Sequence, residues 1–385
     1  MEDLLLLEQQ LTADELAFRN KVRKFVQEKV ISKMSDAFEQ AVFPKEFIRD
    51  FAALGLFGLG LPTDAGGSAA SNIAYGLVCQ ELEYGDSSLR SFISVQNSLG
   101  IYPIYTFGSE AQKSIWLPKM IAGEAISCFG LSELHAGSDP NSMQTIATKT
   151  KDGWCLNGSK MWITSAPIAD IAIIWAKVEG NIEAFLIERG TPGFTTRLIE
   201  HKMSLRTSMT GEITLKDCNI PLENHLPGSK KGLLAALECL TQARYGIAWG
   251  VIGAAQACYD TALEYCKERY QFGRPLASFQ LVQKQLVEMF TEISKAQCLN
   301  LQIGRLKDAN ICHYTAVSMA KMNACKQALS IARNARDLLG AQGITLKYPV
   351  IRHMQNLEAV STYEGTDNIQ HLILGRYLTG IDAIA

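Results

Sequence analysis

The chain has 385 residues, 47% apolar and 20% charged, a balance that excludes a disordered or membrane-embedded chain and suits a globular protein of two or three packed units. Its 37 Lys plus Arg nearly cancel 39 Asp plus Glu, for a formal charge of −2, so neither nucleic acid nor an anionic membrane is an expected partner. Ten cysteines stand singly with no C-x-x-C pair, which reads as reduced thiols in a reducing compartment.

In chain order, Met1-Glu2-Asp3 and four leucines lack the basic flank and length of a signal or transit peptide, so a non-secreted protein without membrane insertion is expected. Thr12-Ala13-Asp14-Glu15 resembles a capping box opening an amphipathic helix through about Val30. Pro44 and Ser71 each start another, and Asp86-Ser87 looks like the cap of a fourth helix running through Ile101. After Gly123 short β-branched and aromatic segments follow, at 145–148, 154–156, 171–178, 184–188, 194–198 and 212–215. Asp152-Gly153 and Asn157-Gly158 read as hairpin turns between them, because both dipeptides tolerate positive φ. Such spacing predicts a small antiparallel barrel or sandwich. From Lys231 onward the pattern is again long and helical, broken at Gly273-Arg274-Pro275 and around Gly340 and Gly343. The expected organisation is a helical unit over 1–122, a β unit over 123–230 and a helical bundle over 231–385, mainly α with a central β domain.

No metal site is expected: no histidine has a glutamate three residues before it, as a di-iron bundle requires. Walker and G-x-G-x-x-G loops are missing, as is a Ser-centred nucleophile elbow. What remains is a set of islands where polar groups interrupt apolar sequence. They are Phe129-Gly130-Leu131-Ser132-Glu133 with Ala136-Gly137-Ser138-Asp139, Trp162-Ile163-Thr164-Ser165, Arg269-Tyr270-Gln271-Phe272-Gly273 and Tyr363-Glu364-Gly365-Thr366. Singly, each is equally a strand, a turn or a helix cap, and residue-level reasoning stops at helical and β domains around a candidate cofactor cleft.

Taken together, with Ala243-Arg244-Tyr245-Gly246 and Gln280, these islands resemble the acyl-CoA dehydrogenase family in order and spacing over essentially the whole chain. The resemblance implies an N-terminal helical domain, a middle β-barrel or sandwich and a C-terminal four-helix bundle. It also implies FAD and an acyl-CoA thioester substrate. By resemblance Glu364 is the base that takes the weakly acidic α-proton, in an apolar cleft that raises its pKa. Its backbone N–H, with a ribityl hydroxyl of FAD, binds the thioester oxygen, and Gly365 thins the wall beside the acyl chain. Implied FAD contacts are Phe129, Leu131, Ser132 and Ser138 on the pyrimidine side and Trp162, Ile163 and Thr164 as a shelf beside the ring. Arg269, Phe272 and Gln280 face the diphosphate and adenosine, Asp337, Gly340 and Ala341 reach the FAD of a neighbouring subunit, and Thr366 and Asn368 follow the base. Arg244 lies near CoA, and Ser138 also faces substrate. Shared FAD sites imply a homo-oligomer, usually a tetramer, and the family passes its electrons to an electron-transfer flavoprotein. The compartment implied is bacterial cytoplasm, or the mitochondrial matrix for a processed form.

Within the family, Ser87-Ser88-Leu89-Arg90-Ser91, Ser94-Val95-Gln96, Phe279-Gln280-Leu281-Val282-Gln283 and Ile351-Arg352-His353 are similar to the glutaryl-CoA dehydrogenases. That likeness implies that Arg90, beside Ser91, pairs with the distal carboxylate of a dicarboxylyl substrate, and that Glu83 accompanies a decarboxylating activity. The chain departs from that pattern at Asp367-Asn368, where His-Asp is usual, at Ser132-Glu133-Leu134 for Thr-Glu-Pro, and at Ala341 for glycine. The rival expectation is a dehydrogenase of a short monocarboxylic acyl-CoA, favoured by an Arg90 bonded to a protein carboxylate. A flavin-free relative kept for assembly is the reading from another class.

Overall fold

A capping box does open the first helix: Thr12 N–H donates to Glu15 Oε2 at 2.8 Å and Glu15 N–H to Thr12 Oγ1 at 3.3 Å. The structure, a computed structural model, describes residues 1–383. Helix α1 (Ala13–Phe25) continues through a π-helical turn (Val26–Val30) into α2 (Ile31–Gln40), ten residues past the expected end. Helix α3 (Phe47–Ala53) follows a turn at Pro44, and Ser71 caps α4 (Asn72–Gly85) by accepting from Ala74 N–H. Asp86 caps α5 (Ser87–Ser94), and a π-helical stretch (Val95–Ile101) carries that path into α6 (Tyr102–Phe107), beyond the expected stop at Ile101. A second capping box, Ser109 with Gln112, opens α7 (Glu110–Ile121).

Seven strands follow: β1 (Ser127–Gly130), β2 (Ile146–Lys149), β3 (Gly153–Thr164), β4 (Ile171–Val178), β5 (Asn181–Glu188), β6 (Phe194–Leu198) and β7 (Thr210–Pro221). They form one sheet in the order β1-β4-β2-β3-β7-β6, with β5 paired to β4. Two expectations change here. The sheet is mixed, since β4 runs parallel to β1 and to β2 and is buried at Ile171 to Ala176, as a strand covered on both faces should be. Asn157-Gly158 is no hairpin turn but a bulge inside β3: Asn157 Oδ1 accepts Asp217 N–H from β7 at 2.8 Å, so the strand stays paired instead of reversing. Only Asp152-Gly153 serves a hairpin, with Thr150 N–H donating to Gly153 O.

Among the described residues the C-terminal third has five α-helices: α8 (Leu233–Glu268), α9 (Gln280–Asp308), α10 (Tyr314–Leu338), α11 (Val350–Thr362) and α12 (Asp367–Thr379). Helices α9, α10 and α11 pack on α8, and α12 packs on α10. A short hairpin at 270–275 joins α8 to α9. Helix α4 lies against α8, and Arg305 of α9 grips the capping Glu15 at 2.5 and 2.9 Å, so first and last thirds share one core. Among the described residues no helix is long and apolar enough to cross a membrane.

Candidate functional site

The Tyr363–Thr366 turn between α11 and α12 places two consecutive residues at positive φ, Glu364 at 54° and Gly365 at 93°. A left-handed glutamate costs on the order of 1–2 kcal/mol, so the surroundings must hold it there. Three buried side chains do so through carbonyls. Arg244 Nε donates to Glu364 O at 2.7 Å. Lys321 Nζ donates to Tyr363 O at 2.8 Å and Gly365 O at 2.6 Å, and Gln370 Nε2 donates to Gly365 O at 3.0 Å. A Cβ on Gly365 would stand 2.6 Å from Gln370 Nε2 and 3.0 Å from Arg244 Nη2, so glycine is needed for space as well as for φ. Thr366 then caps α12 by accepting from Ile369 N–H.

The turn aims a carboxylate with nothing to hold. Glu364 Oε2 is out of solvent and has no hydrogen-bond partner. Burial pushes the carboxyl above the usual glutamate range, against the pull of Arg90, Lys321 and Arg244. A carboxyl whose charged form is disfavoured in this way is a stronger proton acceptor than an ordinary glutamate.

On the far side of Tyr363 sits a buried ion pair. Glu83 near the end of α4 and Arg90 on α5 have fully buried side chains, with Arg90 Nε donating to Glu83 Oε2 at 2.5 Å. Arg90 Nη2 donates to the Tyr363 hydroxyl, while Arg90 Nη1 and Glu83 Oε1 have no partners. Burial disfavours the guanidinium charge, but Glu83 and Tyr363 outweigh it and keep Arg90 ionised. Ser91 is 2% exposed next to it, and the hydroxyls of Ser87, Ser88 and Ser94 on the same helix are buried without partners. A pair so desolvated adds little stability by itself, and half-satisfied polar groups in a core mark a site for something polar. Room for it comes from α8: a Cβ on Gly250 would lie 2.2 Å from Glu83 Oε2 and 2.7 Å from Arg90 Nε. Gly250→Ala is therefore expected to destabilise the protein by about 1–3 kcal/mol through overpacking, read as a lower denaturant midpoint. An unchanged midpoint would mean that the pair has slack.

A second group forms on the sheet. Phe129 in β1 and Leu131 just after it are 7% and 6% exposed, and Ser132 O accepts Met161 N–H at 2.9 Å, tying that loop to the end of β3. Buried Lys160 reinforces the tie, donating to Leu131 O at 3.1 Å and to Glu133 Oε1 at 2.8 Å. Past a second bulge, Trp162 sits at φ 64° and is 57% exposed, Ile163 turns into the sheet core, and Thr164 lies close to Ser88 and Phe92. The sheet group thus lies against α5, the helix that carries Arg90.

A third group lies at the far end of α8, where Arg269, Gln271, Gly340 and Ala341 line a cavity of about 510 Å³. Phe272, in the hairpin beside it, is 92% exposed. Asp337 is exposed and paired with Arg336, while Ser138, Gln280 and Asn368 are exposed and lie outside these clusters. Sequence reasoning did not single out Lys321, Gln370, Lys160 or Gly250. A lone lysine inside the apolar face of α10 was the one visible signal for Lys321.

The three parts of the chain match three family models: acyl-CoA dehydrogenase, N-terminal domain (residues 12–124), middle domain (128–218) and C-terminal domain (230–379). A crystal structure of glutaryl-CoA dehydrogenase from Mycobacterium smegmatis is 45% identical with a TM-score of 0.97, covering 100% of this chain and 99% of that one. A glutaryl-CoA dehydrogenase from the same organism in complex with FADH2 is 42% identical with a TM-score of 0.97, covering 99% and 98%. The short-chain-specific acyl-CoA dehydrogenase of Megasphaera elsdenii is 35% identical over 374 residues, 95% of this chain and 98% of that protein. The chain belongs to the acyl-CoA dehydrogenase family, a family of FAD-dependent oxidoreductases, and is a flavoprotein of that kind. Its residues fit the cofactor: an exposed indole at Trp162 and a hydroxyl at Thr164 flank buried Ile163 at the end of β3, and a guanidinium shares a cavity with the backbone at Gly340.

Proposed function

We propose that this protein is a glutaryl-CoA dehydrogenase, oxidising glutaryl-CoA and releasing CO2 to give crotonyl-CoA. The observation that carries the reading is Arg90 Nη1, a buried guanidinium nitrogen without an acceptor, on a side chain whose Nη2 donates to the hydroxyl of Tyr363, the residue preceding Glu364. Such a donor suits a carboxylate oxygen of the substrate, which would accept the hydrogen bond that Arg90 Nη1 has free. The higher identity to the two glutaryl-CoA dehydrogenase structures from Mycobacterium smegmatis, 45% and 42% against 35% for the Megasphaera enzyme, supports the same choice.

In this reading Glu364 takes the α-proton, and its backbone N–H donates to the thioester oxygen as charge builds there. FAD, when bound, supplies the acceptor for the hydride leaving the β-carbon. Phe129, Leu131, Ser132, Ser138, Trp162, Ile163 and Thr164 hold its ring end, with Thr366 and Asn368 beyond the base. Arg269, Phe272, Gln280, Asp337, Gly340 and Ala341 serve the diphosphate and adenosine across a subunit boundary. Arg244 orients the base through its carbonyl and lies toward CoA, while Gly365 leaves a thin wall for the acyl chain. Arg90, held by Glu83 and assisted by Ser91, keeps the γ-carboxylate ionised until the C–C bond breaks, and the electron pair passes into the conjugated thioester as CO2 leaves. Protonation of the resulting dienolate gives crotonyl-CoA.

A homotetramer follows if the adenosine site is shared, and exposed Phe272 (92%) and Leu281 (79%) on the bundle favour such an interface. Electrons then pass to an electron-transfer flavoprotein in the bacterial cytoplasm or the mitochondrial matrix. One observation favours a second reading, a butyryl-CoA type of enzyme: Arg90 already has a protein carboxylate, Glu83. Anaerobic addition of each thioester to purified protein decides. Flavin bleaching by glutaryl-CoA, with CO2 released once an artificial acceptor is supplied, is the expected result. Bleaching by butyryl-CoA alone would move the substrate to a plain short chain.

A further inference from the structure

A buried junction lies behind the site, centred on Asp86. This carboxylate is 0% exposed and caps α5 by accepting Ser88 N–H at 2.8 Å. Two residues on one face of α11 meet it from the C-terminal domain: Arg352 Nη1 donates to Asp86 Oδ2 and, at 2.8 Å, to Gly85 O, and Asn356 Nδ2 donates to Oδ2 at 2.9 Å. From the loop before β7, Thr207 Oγ1 donates to Asp86 Oδ1 at 3.3 Å. The same loop then grips Asn356, with Leu205 N–H donating to its Oδ1 at 2.8 Å and Ser204 Oγ to its backbone O at 3.1 Å. Asp86, Thr207, Arg352 and Asn356 are each at most 3% exposed. One carboxylate thus receives the N-terminal helices, the β unit and the C-terminal bundle.

The elements it joins carry the two ends of the site. Arg90 is one helical turn along α5 from Asp86, about 6 Å of rise, and Glu364 lies about two turns beyond Asn356, just past the end of α11. We propose that Asp86, with Arg352 and Asn356, is a positioning joint that sets the separation between Arg90 and Glu364, and with it the length of acyl chain the site accepts. The inference rests on the reading that these two residues hold opposite ends of one dicarboxylyl thioester. Both helices are pinned within two turns of their functional side chains. A shift of α11 against α5 therefore changes the span between the two ends directly, while a substrate that engages only the Glu364 end tolerates it.

Asp86→Asn keeps a capping oxygen for Ser88 N–H but removes the charge facing Arg352. In the holoenzyme, kcat/KM for glutaryl-CoA is expected to fall at least about tenfold relative to kcat/KM for butyryl-CoA, the scale of one lost charged hydrogen bond. Hydrogen exchange should quicken by a similar factor at amides 360–366 and remain unchanged in the β-sheet. Arg352→Lys, which retains a donor and a charge, should recover most of the ratio, and Arg352→Gln should not. If Asp86→Asn fails to fold, Asn356→Ala, which leaves the ion pair in place, is read in the same two assays. Equal losses with both thioesters, exchange that rises throughout the protein, or no change in either assay would each overturn the joint. Should the unaltered enzyme ignore glutaryl-CoA, the substrate reading fails, and exchange at 360–366 alone still decides whether the joint exists.

Discussion

Replacing Glu364 with Gln is expected to leave a yellow protein whose flavin is no longer reduced by its thioester, the rate falling about 10²–10⁴-fold, the usual worth of a positioned general base. The amide fills the same space, and the turn keeps its shape because Arg244, Lys321 and Gln370 hold backbone carbonyls, not the carboxylate. Anaerobic stopped-flow reduction measures the loss, and a variant reduced at the wild-type rate would remove Glu364 from the chemistry. The same substitution tests the electrostatics. Burial raises the Glu364 pKa, so the active carboxylate form is lost as pH falls through a value above the usual glutamate range. Stability runs the other way. A carboxyl with a raised folded-state pKa contributes stability fully present below its unfolded pKa and lost as pH rises through the folded one. As pH rises through that raised pKa the wild type comes to carry a charge on a carboxylate whose Oε2 is buried without a partner, and the Gln variant does not. Glu364→Gln should therefore melt at a higher temperature than wild type at pH 7, with the gap closing in acid. A lower melting temperature at pH 7 would mean that the carboxylate has a partner in the folded protein.

The helices and the site were legible in the sequence to different degrees, for physical reasons. Thr12, Ser71 and Asp86 announce helix starts because an N-cap acts over three residues, and all three cap as expected. Ser109-x-x-Gln112 carried the same signal and was available to the same reasoning. The π-helical turns at 26–30 and 95–101 have no comparable local code, since they follow from how the helices pack. Asn157-Gly158 misleads because its positive-φ tolerance serves a bulge as well as a turn, and only the partner strand decides between them. Glu364 and Arg90 stand out through neighbouring motif residues, whereas Lys321, Gly250 and Asn356 matter through contacts from other helices. No spacing rule reaches across the 42 residues between Lys321 and Tyr363.

Arg90→Ala is the other large expected effect, and it separates the two substrates. With glutaryl-CoA, kcat/KM should fall about 10²–10³-fold or more, the cost of burying a carboxylate whose cationic partner is gone. With butyryl-CoA the loss should stay within about tenfold, because that chain presents no charge to the vacated space. Glu83 also loses its partner in Arg90→Ala and sits in the core as a second uncompensated carboxylate. Glu83→Gln combined with Arg90→Ala removes that repulsion. If the glutaryl-CoA defect persists in the double variant while butyryl-CoA turnover recovers, the defect belongs to the missing substrate contact. If both substrates recover together, Arg90 serves chiefly to neutralise Glu83, and the buried pair belongs to the packing of α4, α5 and α8. Tyr363 sharpens the distinction: its hydroxyl receives Arg90 Nη2 and its backbone leads directly into Glu364. Any movement of the base that follows loss of Arg90 would slow butyryl-CoA as well, so a selective loss for the dicarboxylyl thioester argues that Glu364 has stayed in place.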